Sequence, residues 1–261
     1  MTMFIVRHKD ELERAVFSLR GDDGRRVGFV PTMGALHEGH FSLVKLAQSK
    51  SDSVIVSIFV NPTQFAPHED FDQYPRQDME DASRLEELGV DVLFLPGEDV
   101  IYPDGKESSI RAGEAAKGLE SDFRPHFFDG VVNVVSRLFD LVKPDVAVFG
   151  EKDFQQLQVI KEMVAALSLP IEIIGAPIAR DDFGLALSSR NAYLNPQELE
   201  IARKLNVILR EAATNHDCDK AAAALLKAGF DKVDYVEERW NRILAAAWLG
   251  KTRLIDNMGT Q

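Results

Sequence analysis

Cysteine is almost missing from this chain of 261 residues, where Cys218 stands alone. One thiol builds neither a disulfide framework nor a cysteine-based metal site. Long apolar runs are missing as well: no stretch reaches the ~18 consecutive apolar residues of a membrane-spanning helix. Residues 1–19 mix charges of both signs and lack the apolar centre of a signal peptide. A cytoplasmic protein with no membrane partner is therefore expected. Basic residues are in deficit, 30 Lys and Arg against 42 Asp and Glu, for a formal charge of −12. Such a field disfavours nucleic acid and anionic membranes as partners. An anionic ligand would have to be met by local positive groups. What remains is the composition of a soluble globular protein, 45% hydrophobic and 28% charged. At this length the chain can bury one large core, with or without a small second domain.

Short apolar runs alternate with helical patterns over most of the length, and no internal repeat interrupts them. Val27–Val30, Ser53–Val60, Val90–Pro96, Asp145–Phe149 and Ile171–Ile174 read as buried strands. Helical patterns fall between and around them at Phe41–Ala47, Gln77–Leu88, Val131–Leu141 and Phe154–Leu167. This alternation predicts βαβ units, hence an α/β fold with a Rossmann-like parallel sheet and helices on both faces. Ligands of such sheets sit beyond the carboxyl ends of the strands. The rhythm changes near Asn195-Pro196. A long helix is expected over Gln197–Ala213, then helix over Lys220–Lys227 and strands at Val233–Glu237 and Thr252–Asp256. These define a small α+β domain, with the division placed at 188/189: residues 1–188 first, residues 189–261 second.

The most informative segment is Pro31-Thr32-Met33-Gly34-Ala35-Leu36-His37-Glu38-Gly39-His40. It joins a strand to a helix, and its glycines let a ligand approach the backbone closely. The helix start offers unpaired N–H groups and the positive end of a dipole to an anion. His37 and His40, three apart, reach the same side of the first turn. Their imidazoles can donate to phosphate oxygens or stabilise charge on a leaving group. Two alternatives stand beside this reading. A zinc protease needs His-Glu-x-x-His, one residue longer than the spacing here. A pair of ordinary surface histidines at a turn is the other.

Three further clusters follow strands or precede the small domain. In Asn61-Pro62-Thr63-Gln64-Phe65, two amides flank a proline and suit recognition of hydroxyl or carboxylate groups, although Asn-Pro also makes ordinary turns. Gly150-Glu151-Lys152-Asp153 opens a helix, with a compact positive charge at Lys152 and a cap or ribose acceptor at Asp153; plain capping explains Glu151 equally well. Leu187-Ser188-Ser189-Arg190 offers two hydroxyls and a guanidinium able to close over a triphosphate, or is a serine-rich linker. Asp78, Glu80 and Asp81 read as a solvated helix face from which one carboxylate, Asp81, could hold Mg²⁺.

Taken together, these segments closely resemble the pantothenate synthetases (pantoate–β-alanine ligases), within the nucleotidyltransferases that carry a His-x-Gly-His signature. Besides those segments, Tyr74–Arg76, Tyr102-Pro103, Gly184–Asn191 and Gly250–Asn257 match in the same order. The resemblance implies a Rossmann-like ATP-binding domain, a C-terminal lid and a homodimer. It implies ATP, pantoate and β-alanine as substrates and Mg²⁺ as cofactor. Pantoate would attack the α-phosphorus of ATP to give pantoyl adenylate and pyrophosphate. The β-alanine amine would then displace AMP to give pantothenate. By the same resemblance ATP is bound by Met33, Gly34, Ala35, Leu36, His37, Glu38, Gly39 and His40 from the first segment. Gly150, Glu151, Lys152, Asp153, Ala179, Leu187, Ser188, Ser189 and Arg190 supply the remaining ATP contacts. Catalytic roles fall to His40, His37, Lys152, Ser188, Ser189 and Arg190, and pantoate and β-alanine contacts to Gln64, Gln156 and Asn61. Three departures are visible, one of them a second domain that is short between Lys220 and Trp240. Arg124-Pro125-His126-Phe127-Phe128 carries its histidine one position away from the pattern of the resemblance, and Phe183 stands where an aspartate is usual. Another nucleotidyltransferase, or a nucleotide-sensing module without activity, would share the histidines and the serine loop. The former has no reason to carry Asn61 and Gln64 together with Gly150–Gln156, and the latter would have lost its activity through the Arg124–Phe128 change.

Overall fold

The computed structural model describes residues 2–65, 71 and 74–260. They divide into two compact units, Met1–Gly150 with Gln155–Ala176, and Glu151–Phe154 with Pro177–Gln261.

In chain order the first unit runs β1 (Phe4–Val6), α1 (Lys9–Arg20), β2 (Val27–Thr32), α2 (Glu38–Gln48) and β3 (Ser53–Ile58). It continues with α3 (Asp78–Glu87), β4 (Val92–Phe94), α4 (Glu98–Ile101), α5 (Glu120–Phe123) and α6 (Phe127–Val142). It closes with β5 (Val146–Gly150), α7 (Phe154–Ala166) and β6 (Glu172–Ala176). The strands form a six-stranded sheet in the order β1-β4-β3-β2-β5-β6, every pairing parallel. β3 is buried at every position, and β2 at its first four. Runs of this kind belong to strands covered on both faces. Along β2 the covering alternates. Val30 joins a core with Leu43, Val44 and Ala47 of α2 and Leu85 of α3. Phe29 meets Phe139 of α6 edge to face, ring centroids 6.3 Å apart. The expected Rossmann-like α/β fold is present. β1 and α1 are additions to the sequence reading, their residues too few or too charged to stand out.

The strand order reverses between β2 and β5, which pair through Gly28↔Val146 and Phe29↔Ala147. Such a reversal opens a crevice beyond the carboxyl ends, because the two chains leave toward opposite sides. The loop after β2 and the end of β5 at Gly150 flank it.

The second unit holds α8 (Pro196–Ala202), α9 (Lys204–Asn215), α10 (Cys218–Ala228), β7 (Lys232–Arg239), β8 (Arg242–Leu249) and β9 (Thr252–Gly259). Its strands form an antiparallel sheet, β7-β8-β9. Leu205, Leu209, Leu225, Phe230, Ile243 and Leu254 fill its core. Asn195 caps α8 by accepting from Gln197 N and Glu198 N, and Glu198 answers to Asn195 N at 2.9 Å, which fixes the helix start at the proline. The single helix expected over Gln197–Ala213 is interrupted at Arg203. β8 was absent from the sequence reading, since Leu244-Ala245-Ala246-Ala247 carries no alternation and alanine favours helix.

The boundary also lies earlier than 188/189. Arg180 forms a two-pronged pair with Asp256 at 2.6 and 2.8 Å. Leu185 belongs to the second unit's core. Asn257 Nδ2 donates to the carbonyls of Glu151 and Lys152 at 2.8 and 3.0 Å, which explains why residues 151–154 group with β9.

Candidate active site

The loop after β2 is built to present a helix start. Thr32 Oγ1 donates to Ser57 O at 2.8 Å and accepts from Gly34 N at 3.2 Å, tying the loop to β3. Gly34 has φ +83°, and a Cβ there would press on Ile58 Cγ2 at 3.0 Å. Ala35 follows at φ 50°, a left-handed conformation costly for a residue with a side chain. What holds it is Asp81 of α3, whose Oδ1 accepts from Leu36 N at 2.9 Å. Asp81 is only 2% exposed. Burial pushes its carboxyl above the usual range, although the Leu36 and Ala35 N–H groups favour the charged form.

His37 is the N-cap of α2, and its Nδ1 accepts from Gly39 N at 3.1 Å. His40 Nδ1 accepts from His37 N at 3.3 Å. A backbone N–H only donates, so in each neutral ring the proton lies on Nε2. Two imidazoles, centroids 4.2 Å apart, thus share a tautomer set by the backbone of the helix they begin. Glu38, on the same turn, pairs with Arg84 at 3.2 Å.

Asn61 ends the segment after β3 and caps a short 3-10 turn, Pro62–Gln64. It is 1% exposed. Its Oδ1 accepts from Thr63 N, Thr63 Oγ1 and Tyr102 Oη at 3.2, 3.0 and 2.7 Å. Its Nδ2 donates to Gly130 O and Gln64 Oε1 at 3.3 and 3.1 Å. Gln64 is held by its backbone too, through Arg124 Nη2 at 3.0 Å from its carbonyl. Arg124 also stacks on Phe127, 3.9 Å from the ring centroid. The displaced histidine of that segment, His126, lies on the wall of a cavity of about 590 Å³ with Thr63, Lys106, Arg111, Asp129 and Asn133. Gln155 is spoken for: it accepts from Glu120 N and donates to Ala115 O and Gly118 O. Its neighbour Gln156 is half-buried.

The other expected ATP contacts belong to the second unit, apart from Gly150 at the end of β5. Lys152 Nζ lies 3.8 Å from Asp153, and Glu151 pairs with Arg242 at 3.4 Å. Ala179 O accepts from Leu187 N at 2.9 Å, which brings Leu187 back beside it. Asp181 closes the loop between them by accepting from Phe183 N and Leu185 N. Phe183 takes the guanidinium of Arg203 over its ring at 3.8 Å. Ser188 Oγ caps the turn Ser189–Tyr193 by accepting from Arg190 N at 3.3 Å.

Mg²⁺ was expected at Asp81, and the residue does not fit that task. A magnesium ion keeps an octahedral shell rich in water, whereas this carboxylate is buried and bonded to Leu36 N. Among the described residues no group of three or more His, Cys, Asp or Glu is placed to hold a metal ion. Sequence reasoning missed Tyr102, Arg124 and Gly130 as parts of the site. Tyr102 and Asn61 are 41 residues apart, and no linear pattern joins them.

Comparison with known proteins agrees over the whole chain. The family model for pantoate-beta-alanine ligase matches residues 4–259. The pantothenate synthetase of Mesorhizobium japonicum is 52% identical, covering 96% of this chain and 98% of that protein. The one from Caulobacter vibrioides is 51% identical, covering 97% of each. The crystal structure of pantoate-beta-alanine ligase from Francisella tularensis, complexed with beta-gamma ATP and beta-alanine, superposes with a TM-score of 0.91. That chain is 42% identical, with 99% of this chain and 98% of the other covered.

Proposed function

The chain belongs to the pantoate-beta-alanine ligase family and catalyses the ATP-dependent ligation of pantoate with β-alanine, and we propose that it does so through a pantoyl adenylate. A pantoate carboxylate oxygen attacks the α-phosphorus, the bond from that phosphorus to the bridging oxygen breaks, and pyrophosphate leaves. The β-alanine amine then attacks the acyl carbon, AMP departs and the amine proton passes to solvent. Adenylation is needed because a carboxylate is a poor acyl donor. The observation that carries this reading is the pair of imidazoles at the start of α2, both with Nδ1 occupied by backbone N–H. Each can then direct an Nε2–H to phosphate oxygens as charge develops there, a preorganised arrangement of donors.

In this proposal His40, His37, Lys152 and Arg190 stabilise the phosphate charge, and Ser188 and Ser189 donate hydrogen bonds to phosphate oxygens. Met33–His40, Gly150–Asp153, Ala179 and Leu187–Arg190 bind ATP. Gln64 contacts pantoate and β-alanine, Gln156 contacts pantoate, and Asn61 lines the same pocket and supports Gln64. Magnesium enters as part of the substrate, Mg–ATP, carried by phosphate oxygens and water. The second unit, which holds residues 189–261, serves as the lid, and two chains form the homodimer, which light scattering would report as twice the chain mass. No helix among the described residues is long and apolar enough to cross a membrane.

An omission assay tests the chemistry. ATP, Mg²⁺ and pantoate alone should yield pyrophosphate and a bound pantoyl adenylate, seen by mass spectrometry of the quenched complex. ADP and phosphate in their place would mean an acyl phosphate and overturn the adenylate route.

A further inference from the structure

Two groups beside Asn61 have no choice of role. The Thr63 backbone N–H can only donate, and it meets Asn61 Oδ1 at 3.2 Å. The Gly130 carbonyl can only accept, and it meets Asn61 Nδ2 at 3.3 Å. Between them they fix which way the Asn61 amide points. Tyr102 Oη then donates to the Oδ1 side at 2.7 Å and holds it there. On the other side the Asn61 amide donates its remaining hydrogen to Gln64 Oε1 at 3.1 Å. The carbonyl of Gln64 is thereby used, and its Nε2 amide is the end left to meet a ligand. Asn61 is 1% exposed and Tyr102 5% exposed, so water does not compete for the bond between them. Packing preserves the spacing: a Cβ at Gly130 would fall 2.5 Å from Thr63 O.

We propose that Tyr102 is a positioning residue for the ligation: acting through Asn61, it holds Gln64 as a hydrogen-bond donor, so that the turn selects an acceptor oxygen of the pantoate carboxylate. The proposal rests on the Gln64–pantoate contact above. Selection works by mismatch, because a ligand presenting a donor at this point would face the Gln64 N–H and leave both donors unpaired.

Steady-state kinetics with pantoate varied, at saturating ATP and β-alanine, test it. Tyr102→Phe removes one hydroxyl and should raise KM for pantoate roughly 3- to 10-fold, the loss for one hydrogen bond. KM for ATP should be unchanged. In a Gln64→Ala background the same substitution should have no further effect, since nothing remains to be oriented. Gln64→Glu should raise KM for pantoate more than Gln64→Ala at neutral pH, and recover as pH falls through the carboxylate range. An unchanged pantoate KM in Tyr102→Phe would overturn the proposal, as would an equal rise in the Gln64→Ala background. Should Tyr102→Phe fail to fold, the Glu–Ala comparison at Gln64 decides alone: no extra loss with Glu means no preset donor. Failure of the underlying reading looks different. Gln64→Ala would then leave pantoate KM at its wild-type value, and the proposal would fall with it.

Discussion

At the scale of single residues, the chemistry depends on atoms whose direction is set by the backbone. His40 is fixed by one such bond, from His37 N to its Nδ1. Replacing it with alanine should cost roughly 10²–10³ in the adenylation rate, the usual loss for one preorganised donor. Pyrophosphate release in a single turnover, with pantoate present and β-alanine omitted, measures this step; a near-normal rate would return the histidines to an ordinary helix cap. Gln64→Ala removes a partner of a charged group and should cost about 1.5–3 kcal/mol of pantoate binding. Calorimetric titration should find ATP affinity little changed, and an equal loss for both ligands would mean that Gln64 holds the turn rather than the substrate.

At the scale of elements, helix starts and helix faces carry the site. The start of α2 is held by α3 through Asp81, and the titration of that carboxyl can be followed. Burial raises its value in the folded state, so the folded chain holds the proton more tightly than the unfolded one. Its contribution to stability therefore weakens as pH rises from the usual carboxylate value through the raised one. Asp81→Asn keeps an acceptor for Leu36 N and should flatten that slope in urea unfolding measured across acidic pH. Asp81→Ala leaves the N–H without its acceptor and should destabilise by about 1–3 kcal/mol at any pH. The face of α6 makes an opposite point about helix propensity. Within a helix Gly→Ala usually gains about 1 kcal/mol. At Gly130 the added carbon would lie 2.5 Å from a backbone oxygen of the Gln64 turn, so Gly130→Ala should lower the melting temperature and raise KM for pantoate. A stabilised variant with normal pantoate use would show that the close approach is unnecessary.

At the scale of the whole molecule, two units with separate cores should respond differently to acid. In the second unit the Asp234 side chain is 1% exposed, beside Lys232 and Arg253, each 2.8 Å away. Burial pushes its carboxyl upward, but hydrogen bonds from Lys232, Arg253 and Trp248 outweigh it and hold the value below the usual one. A lowered folded value adds stability above the unfolded value, lost as pH falls through the folded one. Asp234→Asn should weaken the second unit at neutral pH and remove that acid-sensitive part of its melting curve, while the first unit's transition stays in place. The sequence by itself determined the five strands β2–β6 and the helices α2, α3, α6 and α7, because βαβ alternation is a local pattern of burial. It also determined where the histidine loop begins, because a strand feeding a Gly- and His-bearing helix start is contiguous in the chain. It could not see β8, whose alanines carry no period, nor the grouping of residues 151–154 with β9, which rests on Asn257. Tertiary structure alone decided that Asp81 serves the loop backbone rather than solvent, and that Tyr102 reaches Asn61. Hydrogen bonds between residues 41 or 45 positions apart depend on how the strands are ordered, and strand order leaves no mark on the neighbours in sequence.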